Sequence, residues 1–214
     1  MRFMAEDACD VIVIAEREGA ILRHARDDDW PRVDEITILC YRPIHESYVA
    51  TLGEECYQSV RHDPELTWAQ RKTGQVHRLY QEHREWVWVL ERQGRVIGFV
   101  TFSLIPEKSM GRIENNGVHP DHSGQGWATF MYRHVLQHFR SHGLRFAFVD
   151  TGLDPAHTPA RRAYEAVGFD RQVPVVEYWQ DLARRNPGSE PAAGRKQDVG
   201  GAAGDDQPAG HPGR

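Results

Sequence analysis

The sequence predicts an α+β fold with a mixed, mostly antiparallel central sheet flanked by helices. Three observations carry that expectation. Apolar residues recur at helical spacing between residues 27 and 84, then give way to aromatic and β-branched runs separated by turn residues. Three such runs in succession, residues 86–91, 96–104 and 110–118, read as an antiparallel meander. A glycine-bearing loop, an amphipathic helix and a further strand follow, and a strand–helix–strand step needs parallel strands that are neighbours or nearly so.

Residues 1–19 form an N-terminal extension that the pattern leaves open, either an added strand or a loose arm. Residues 20–25 (AILRHA) read as a short strand. Asp27, Asp28 and Asp29 supply capping side chains and negative charge for a helix start, and Pro31 suits its first turn. That helix extends to about Tyr41, with Val33, Ile36 and Leu39/Cys40 on one face, and Arg42-Pro43 is expected to interrupt it. Residues 46–62 and 66–84 are expected to be helical, although Gly53 and Gly74 fall within them. WVWVLE (86–91) and VIGFVTFSL (96–104) are strands joined by a Gln93-Gly94 turn. In the third strand, 110–118, Gly117 suggests a bulge or a close backbone approach. The helix after the glycine loop runs to about His142 and stops at Gly143. RFAFVDT (145–151) is a strand, TPARRAYEAVGF (158–169) a capped helix, and VPVVEYW (173–179) the last strand. Residues 187–214 hold Gly, Ala, Pro and charge, with Val199 the only large aliphatic residue. Such a tail cannot bury enough surface to offset its ordering entropy and is expected to be disordered. The working domain is residues 20–183.

At 214 residues the chain suffices for one domain with a sizeable core. A net charge of −5 argues against a general nucleic-acid binder, which carries a basic surface. Cys9, Cys40 and Cys56 have no metal-ligand or redox spacing, and their odd number gives no disulfide framework. The expected compartment is therefore the reducing cytoplasm. The apolar patch at 11–15 is too short to span a membrane and lacks signal-peptide flanks, so no membrane partner is expected.

Candidate chemistry begins at HPDHSGQGWATFMYRHV, residues 119–135. Gly124 and Gly126 precede an amphipathic helix, whose first N–H groups lack partners and whose dipole is positive. Such a loop is either an ordinary turn or a cradle for phosphate. No Gly-Lys-Ser/Thr follows, so it is not a P-loop, and the third glycine of a dinucleotide-binding fingerprint is missing.

VHPDHSGQGWA, followed about forty residues later by ARRAYEAVGF, resembles two motifs of the GCN5-related N-acetyltransferase (GNAT) superfamily. The first is similar to its acetyl-CoA pyrophosphate loop, the second to its later Asn-x-x-Ala-x-x-x-Tyr-x-x-x-Gly-Phe motif. The order of elements from Ala20 to about Leu182 matches as well. The resemblance implies a GNAT-like acyl-CoA N-acyltransferase fold with acetyl-CoA as donor; the spacing of the histidines gives no reason to expect a metal. It implies cofactor contacts from Val118, Ser123, Gly124, Gln125, Gly126, Trp127, Ala128 and His157. Ser123 stands where the family has Arg or Gln, and His157 where it has Asn, so backbone N–H groups from Gln125 to Ala128 are expected to carry more of the binding.

Acetyl transfer to an amine needs a neutral amine, a polarised thioester carbonyl and a proton for the departing thiolate. The resemblance makes Tyr164 the general acid; helix-end packing against Phe169 is the structural alternative, and both can hold. Glu114, on the same face of its strand as Asn116 by simple alternation, is a candidate base or a solvated glutamate. Tyr41, His45, Glu46 and Tyr48 lie where the resemblance implies acceptor binding, or are loop surface. His134, His138 and His142 form a row one turn apart that reads as the edge of the apolar stripe rather than a metal site; His119 and His122 read likewise.

The expected function is transfer of acetyl from acetyl-CoA to the primary amine of a small molecule, by direct attack in a ternary complex. Protein N-terminal or lysine acetylation and a non-catalytic acyl-CoA-binding module are the alternatives. Dimers are common in the superfamily, so a homodimer is one expected state.

Overall fold

The computed structural model describes residues 12–61, 63 and 65–182. The expected tail at 187–214 and most of the N-terminal extension lie outside the described residues. Residues up to Tyr178 belong to one compact unit; of a second unit, only residues 179–182 are described, and they form no helix or strand.

Among the described residues six strands form one sheet in the order of the chain: β1 (Val13–Arg17), β2 (Ala20–His24), β3 (Val87–Arg92), β4 (Arg95–Ile105), β5 (Met110–Val118) and β6 (Phe146–Phe148). Every pair is antiparallel except β5–β6, which is parallel. The β1–β2 and β3–β4 hairpins turn on Glu18-Gly19 and Gln93-Gly94, all four with positive φ, as a two-residue hairpin of matching twist requires. The N-terminal extension thus does add a strand.

The helices are α1 (Trp30–Leu52), α2 (Glu54–Arg61), α3 (Trp68–Glu82), α4 (Trp127–Ser141) and α5 (Thr158–Glu165). The expected break at Arg42-Pro43 does not occur: α1 continues through Pro43 to Leu52. A proline inside a helix loses one backbone hydrogen bond. Packing on both sides of it offsets the loss, with Val33 and Ile36 buried before Pro43 and His45 stacked on Trp68 of α3 after it. The helix ends at Gly53, where φ is +76°.

α3 begins with a capping box. Thr67 Oγ1 accepts from Gln70 N at 3.3 Å, and Gln70 Oε1 accepts from Thr67 N at 2.9 Å. Thr67→Ala is expected to lower the unfolding free energy by about 1 kcal/mol, with Thr67→Asn close to wild type. Urea melts of the three proteins check it; an alanine variant as stable as wild type would show that the box contributes nothing.

The sheet has a core on each face. α4 contributes Phe130, Met131, Tyr132, Val135 and Phe139 to one, against Leu22, Trp88, Val100, Phe102 and Ile113. α1 and α3 contribute Val33, Ile36, Val76 and Tyr80 to the other, against Val87, Val89 and Phe99. Asp29 does more than begin a helix: its carboxylate takes two hydrogen bonds from the buried Arg23, at 2.7 and 2.8 Å, tying α1 to β2.

One irregularity shapes the site. Val100 pairs with Asn116 and Phe102 with Ile113, so β5 spends one residue more than β4 over this interval. The bulge lies at residues 114–115, and an extra residue reverses the faces that follow it. Ile113 packs in the α4 core, while Gly117 faces α1, where a Cβ would stand 3.0 Å from Cys40 Sγ and 3.1 Å from Ile36 Cγ2. Gly117 is therefore the close approach rather than the bulge. Glu114 and Asn116, expected on one face, fall on opposite ones: Glu114 bonds Ser103, and Asn116 turns to α4.

The C-terminal strands are shorter than expected. The strand at 145–151 reduces to Phe146–Phe148, and residues 173–179 form no strand, with Val173 and Tyr178 about nine-tenths exposed at 89% and 92%. Pro174 has no N–H for a ladder, and β6 is too short to hold a long neighbour.

Candidate active site

The parallel ladder between β5 and β6 involves Met110, Gly111 and Arg112 only. From Ile113 to Val118, β5 has no strand partner on that side among the described residues. At the far end of this opened edge sits the glycine loop. Pro120–His122 makes one 3-10 turn, Ser123 N bonding Pro120 O at 3.0 Å. Gly124 and Gly126 both have positive φ, +73° and +76°, and Gly126 caps α4. The N–H groups of Gln125, Gly126, Trp127 and Ala128 have no acceptor among the described residues. A Cβ at Gly124 would meet nothing within 4 Å. Open backbone donors at a helix N-terminus, with free space before them, suit an anion such as a pyrophosphate.

The side chains of the loop are committed elsewhere. Ser123 Oγ donates to Pro120 O at 2.7 Å. Trp127 is buried beneath the loop, and its indole N–H reaches Gln125 Oε1 at 3.1 Å. Arg17 and Arg92 lie over the Trp127 ring at 4.8 and 5.5 Å, and Arg17 also approaches the Gln125 and Gly126 carbonyl oxygens at 3.4 Å each. These two arginines were not found by sequence reasoning; nothing local in their hairpins connects them to a loop more than thirty residues away. Ala128 is half-buried, and Val118 O accepts from Cys40 Sγ at 3.3 Å. Burial pushes the Cys40 thiol up to about 11, so it is no ready nucleophile.

Tyr164 lies within a chain of hydrogen bonds. Tyr132 O–H donates to Asn116 Oδ1 at 2.5 Å, and Asn116 Nδ2 donates to Tyr164 Oη at 3.1 Å. The Tyr164 oxygen accepts from Asn116, and the Tyr132 hydroxyl is its second partner. Burial holds the phenol above its ordinary value of 10, against the opposing pull of Asn116 and Tyr132. The packing alternative is equally present. Phe169 N bonds Tyr164 O at 3.2 Å, Gly168 N bonds Glu165 O at 3.0 Å, and the Tyr164 and Phe169 rings meet edge to face at 5.9 Å. That is a Schellman ending with its apolar contact. The bulge explains how Asn116 reaches α4, and no local sequence signal reveals it. Tyr132, the other half of the chain, is one residue off the stripe made by Met131, Val135 and Phe139.

Glu114 Oε1 accepts from Ser103 at 2.8 Å, and Oε2 lies 3.2 Å from Arg112 Nε without the angle of a hydrogen bond. Glu114 thus lies on the α1/α3 side, between Ser103 and Arg112. His157 is not turned to the loop: its Nδ1 bonds Asp154 Oδ2 at 2.5 Å, beside Arg161, which donates to the Gly152 and Asp154 carbonyls. Tyr41 meets the Asn116 backbone, and Tyr48 lies under the Arg61 guanidinium at 4.5 Å. His45 and Glu46 line a pocket of about 540 Å³ between α1, α2 and α3. His134 packs on Phe130, and His138 on Trp88 and Phe102, as an edge row would.

A mixed sheet whose one parallel pair opens beside a helix-capping glycine loop defines an N-acetyltransferase fold. The family model described as Acetyltransferase (GNAT) family matches residues 30–169, and the chain belongs to that family. No curated protein matches the sequence. Among solved structures, the ribosomal-protein-S18-alanine N-acetyltransferase from Escherichia coli superposes with a TM-score of 0.50 at 14% identity, over 72% of this chain and 79% of that one. Ard1 from Thermoplasma volcanium gives 0.51 at 18%, over 72% and 85%. A GNAT-family acetyltransferase from Bacillus anthracis gives 0.50 at 17%, over 77% and 86%. At these identities the likeness shows the fold. Among the described residues no helix is long and apolar enough to cross a membrane.

Proposed function

We propose that the protein transfers acetyl from acetyl-CoA to a primary amine by direct attack in a ternary complex. The observation that supports this best is the Tyr132–Asn116–Tyr164 chain, which presents a protonated phenol beside the opened edge of β5. Acetyl-CoA, when bound, supplies the activated acetyl group as a thioester. The open N–H groups from Gln125 to Ala128 would hold its pyrophosphate, with Val118 and Gly124 lining the approach. Arg17 and Arg92 hold the loop through Trp127, and His157 orders the turn before α5.

The protons balance across β5. As the amine nitrogen bonds the acetyl carbon and the carbon–sulfur bond breaks, the amine loses a proton toward Glu114, through water, on the α1/α3 side. Tyr164 gives its proton to the departing sulfur on the α5 side, and Asn116 steadies the phenolate left behind. The setting is an intracellular, reducing one, in keeping with Cys40 and Cys56 as free thiols.

The test is thiol release from acetyl-CoA over a panel of amines, beside calorimetry with CoA. Micromolar binding and turnover of at least one amine are expected. Binding without turnover on any amine would favour an acyl-CoA-binding module, and no binding would remove the acetyl-CoA assignment. Ser123→Arg is expected to tighten CoA binding by about 1 kcal/mol, since the serine hydroxyl is engaged by Pro120 and a guanidinium adds a charge-assisted bond. A weaker complex in calorimetry would mean the space is taken.

A further inference from the structure

α1 and α3 meet through two matched contacts one helical turn apart. Lys72 Nζ lies 4.2 Å from the centre of the Tyr41 ring, and Trp68 stacks on His45 at 4.3 Å and 24°. Tyr41 and His45, like Trp68 and Lys72, are four residues apart, so each pair shares one helix face. The Tyr41 end meets the backbone of Asn116, and the His45 end opens into the pocket of about 540 Å³ walled by Arg42, Tyr57 and Trp68. A path of packed side chains therefore links the backbone of Asn116, in the candidate acid's hydrogen-bond chain, to the wall of this pocket.

The charges along that path do not balance. Arg42, Arg71 and Lys72 have no carboxylate oxygen within 4.0 Å among the described residues. Arg71 Nε is buried and has no hydrogen-bond partner among them. Arg61 pairs with Glu177 at 2.9 Å. The carboxylates at the pocket are Glu46 and Glu54, both exposed, and Glu54 is engaged by Gln58 at 2.7 Å. Glu114 and Asp150 act on Lys72 only from beyond ion-pair distance. His45 reports the resulting field: burial, then Arg71, Lys72 and Arg61, push its pKa down to about 4.

We propose that the amine acceptor carries an anionic group, a carboxylate or a phosphate, received by Arg42 at the pocket wall and by Lys72 and Arg71 on α3 beside Tyr41 and His45, while its apolar body lies on Trp68 and His45. The anion satisfies cations that no protein carboxylate neutralises. The same field disfavours an ammonium held between this pocket and Glu114, and the reaction needs the neutral amine. A polycationic acceptor is repelled at the same place. The role of the pocket as acceptor site rests on the acetyl-transfer reading, but its anion preference is measurable without turnover.

Calorimetry with phenylacetate, phenethyl alcohol and phenethylamine, close in shape and differing in charge, reads that preference. The carboxylate is expected to bind at least about tenfold tighter than the alcohol, and the amine weakest. Benzyl phosphate beside phenylacetate decides between phosphate and carboxylate. In Lys72→Met/Arg42→Leu, carboxylate and alcohol are expected to converge to within about threefold. Lys72→Gln alone carries the test if the double variant fails to melt cooperatively. Equal binding of carboxylate and alcohol by the wild type overturns the proposal, as does a preference for the amine or an anion preference that survives in the folded variants. In turnover, tyrosine should exceed tyramine, and phosphoethanolamine exceed ethanolamine, by at least about tenfold in kcat/KM. Turnover that favours tyramine and ethanolamine sinks the anion pocket but not acetyl transfer. An intact probe preference with no amine acetylated and no CoA bound sinks acetyl transfer but not the pocket.

Discussion

Tyr164→Phe is expected to stay folded and to lose roughly ten- to a thousandfold in kcat, the scale of a general-acid contribution. The ring is 6% exposed and packs on Tyr132 and Phe169, with ring centres at 5.0 and 5.9 Å. Phenylalanine keeps those contacts and the Schellman ending. It leaves the Asn116 amide donor without its acceptor, a cost of about 1 kcal/mol in stability and visible as a small fall in Tm. The KM for acetyl-CoA should change little, because proton donation to sulfur strengthens only in the transition state. A pH profile separates acid from packing. Burial raises the Tyr164 pKa above 10, so the acid form persists through neutral and mildly alkaline pH. The alkaline fall in wild-type kcat should lie above about pH 10 and be absent in the Phe variant. Tyr132→Phe, which frees Asn116 to turn, should show a smaller loss and an altered alkaline limb. Pre-steady-state kinetics must show that chemistry limits turnover. With that shown, a folded Phe variant with wild-type kcat ends the acid assignment.

Local chemistry was legible in the sequence wherever a few adjacent residues decide the outcome. The Gln93-Gly94 hairpin, the limits of β5, the stop of α4 before Gly143 and the Tyr164–Phe169 helix ending all follow from turn and capping preferences. The glycine loop was legible for the same reason, since positive φ and a helix start are local properties. What depended on pairing or packing was not. Pro43 reads as a break until Trp68 is brought against His45. Residues 173–179 read as a strand because β-propensity says nothing about whether a neighbour is long enough to pair. The bulge at residues 114–115 matters most, because it puts Glu114 and Asn116 on opposite faces and so separates the candidate base from the acid's hydrogen-bond chain. Register between two strands sets it, and no property of β5 alone reveals it. Arg17, Arg92, Lys72 and Trp68 belong to the same class, charged or aromatic residues whose meaning comes from a partner distant in sequence.

Gly126→Asp is expected to weaken CoA binding at least about hundredfold, while Gly126→Ala weakens it less than about tenfold. The two substitutions share one backbone cost. Gly126 has φ +76°, which costs an ordinary residue roughly 1–2 kcal/mol and aspartate somewhat less. Neither meets a steric wall, since a Cβ at this position approaches only Arg17 Nη1, at 3.4 Å, the end of a flexible side chain. What separates them is charge. An aspartate at the cap of α4 stands where the N–H groups of Gln125 to Ala128 would receive a pyrophosphate. Two like charges about 5 Å apart repel by roughly 3 kcal/mol at an effective dielectric of 20, about a hundredfold in affinity. Arg17 takes up part of the new charge, so the loss falls short of what two phosphate charges would give. Gly126→Asn isolates the electrostatic part, because it is similar in shape and neutral. The Asp–Asn difference should shrink as salt rises, whereas the strain they share should not. Pantetheine, which lacks the pyrophosphate, should bind all four proteins alike. An unchanged CoA affinity in a folded Asp variant would end the cradle assignment, and an equal loss of pantetheine would show that the substitution disturbs the cleft rather than the anion site.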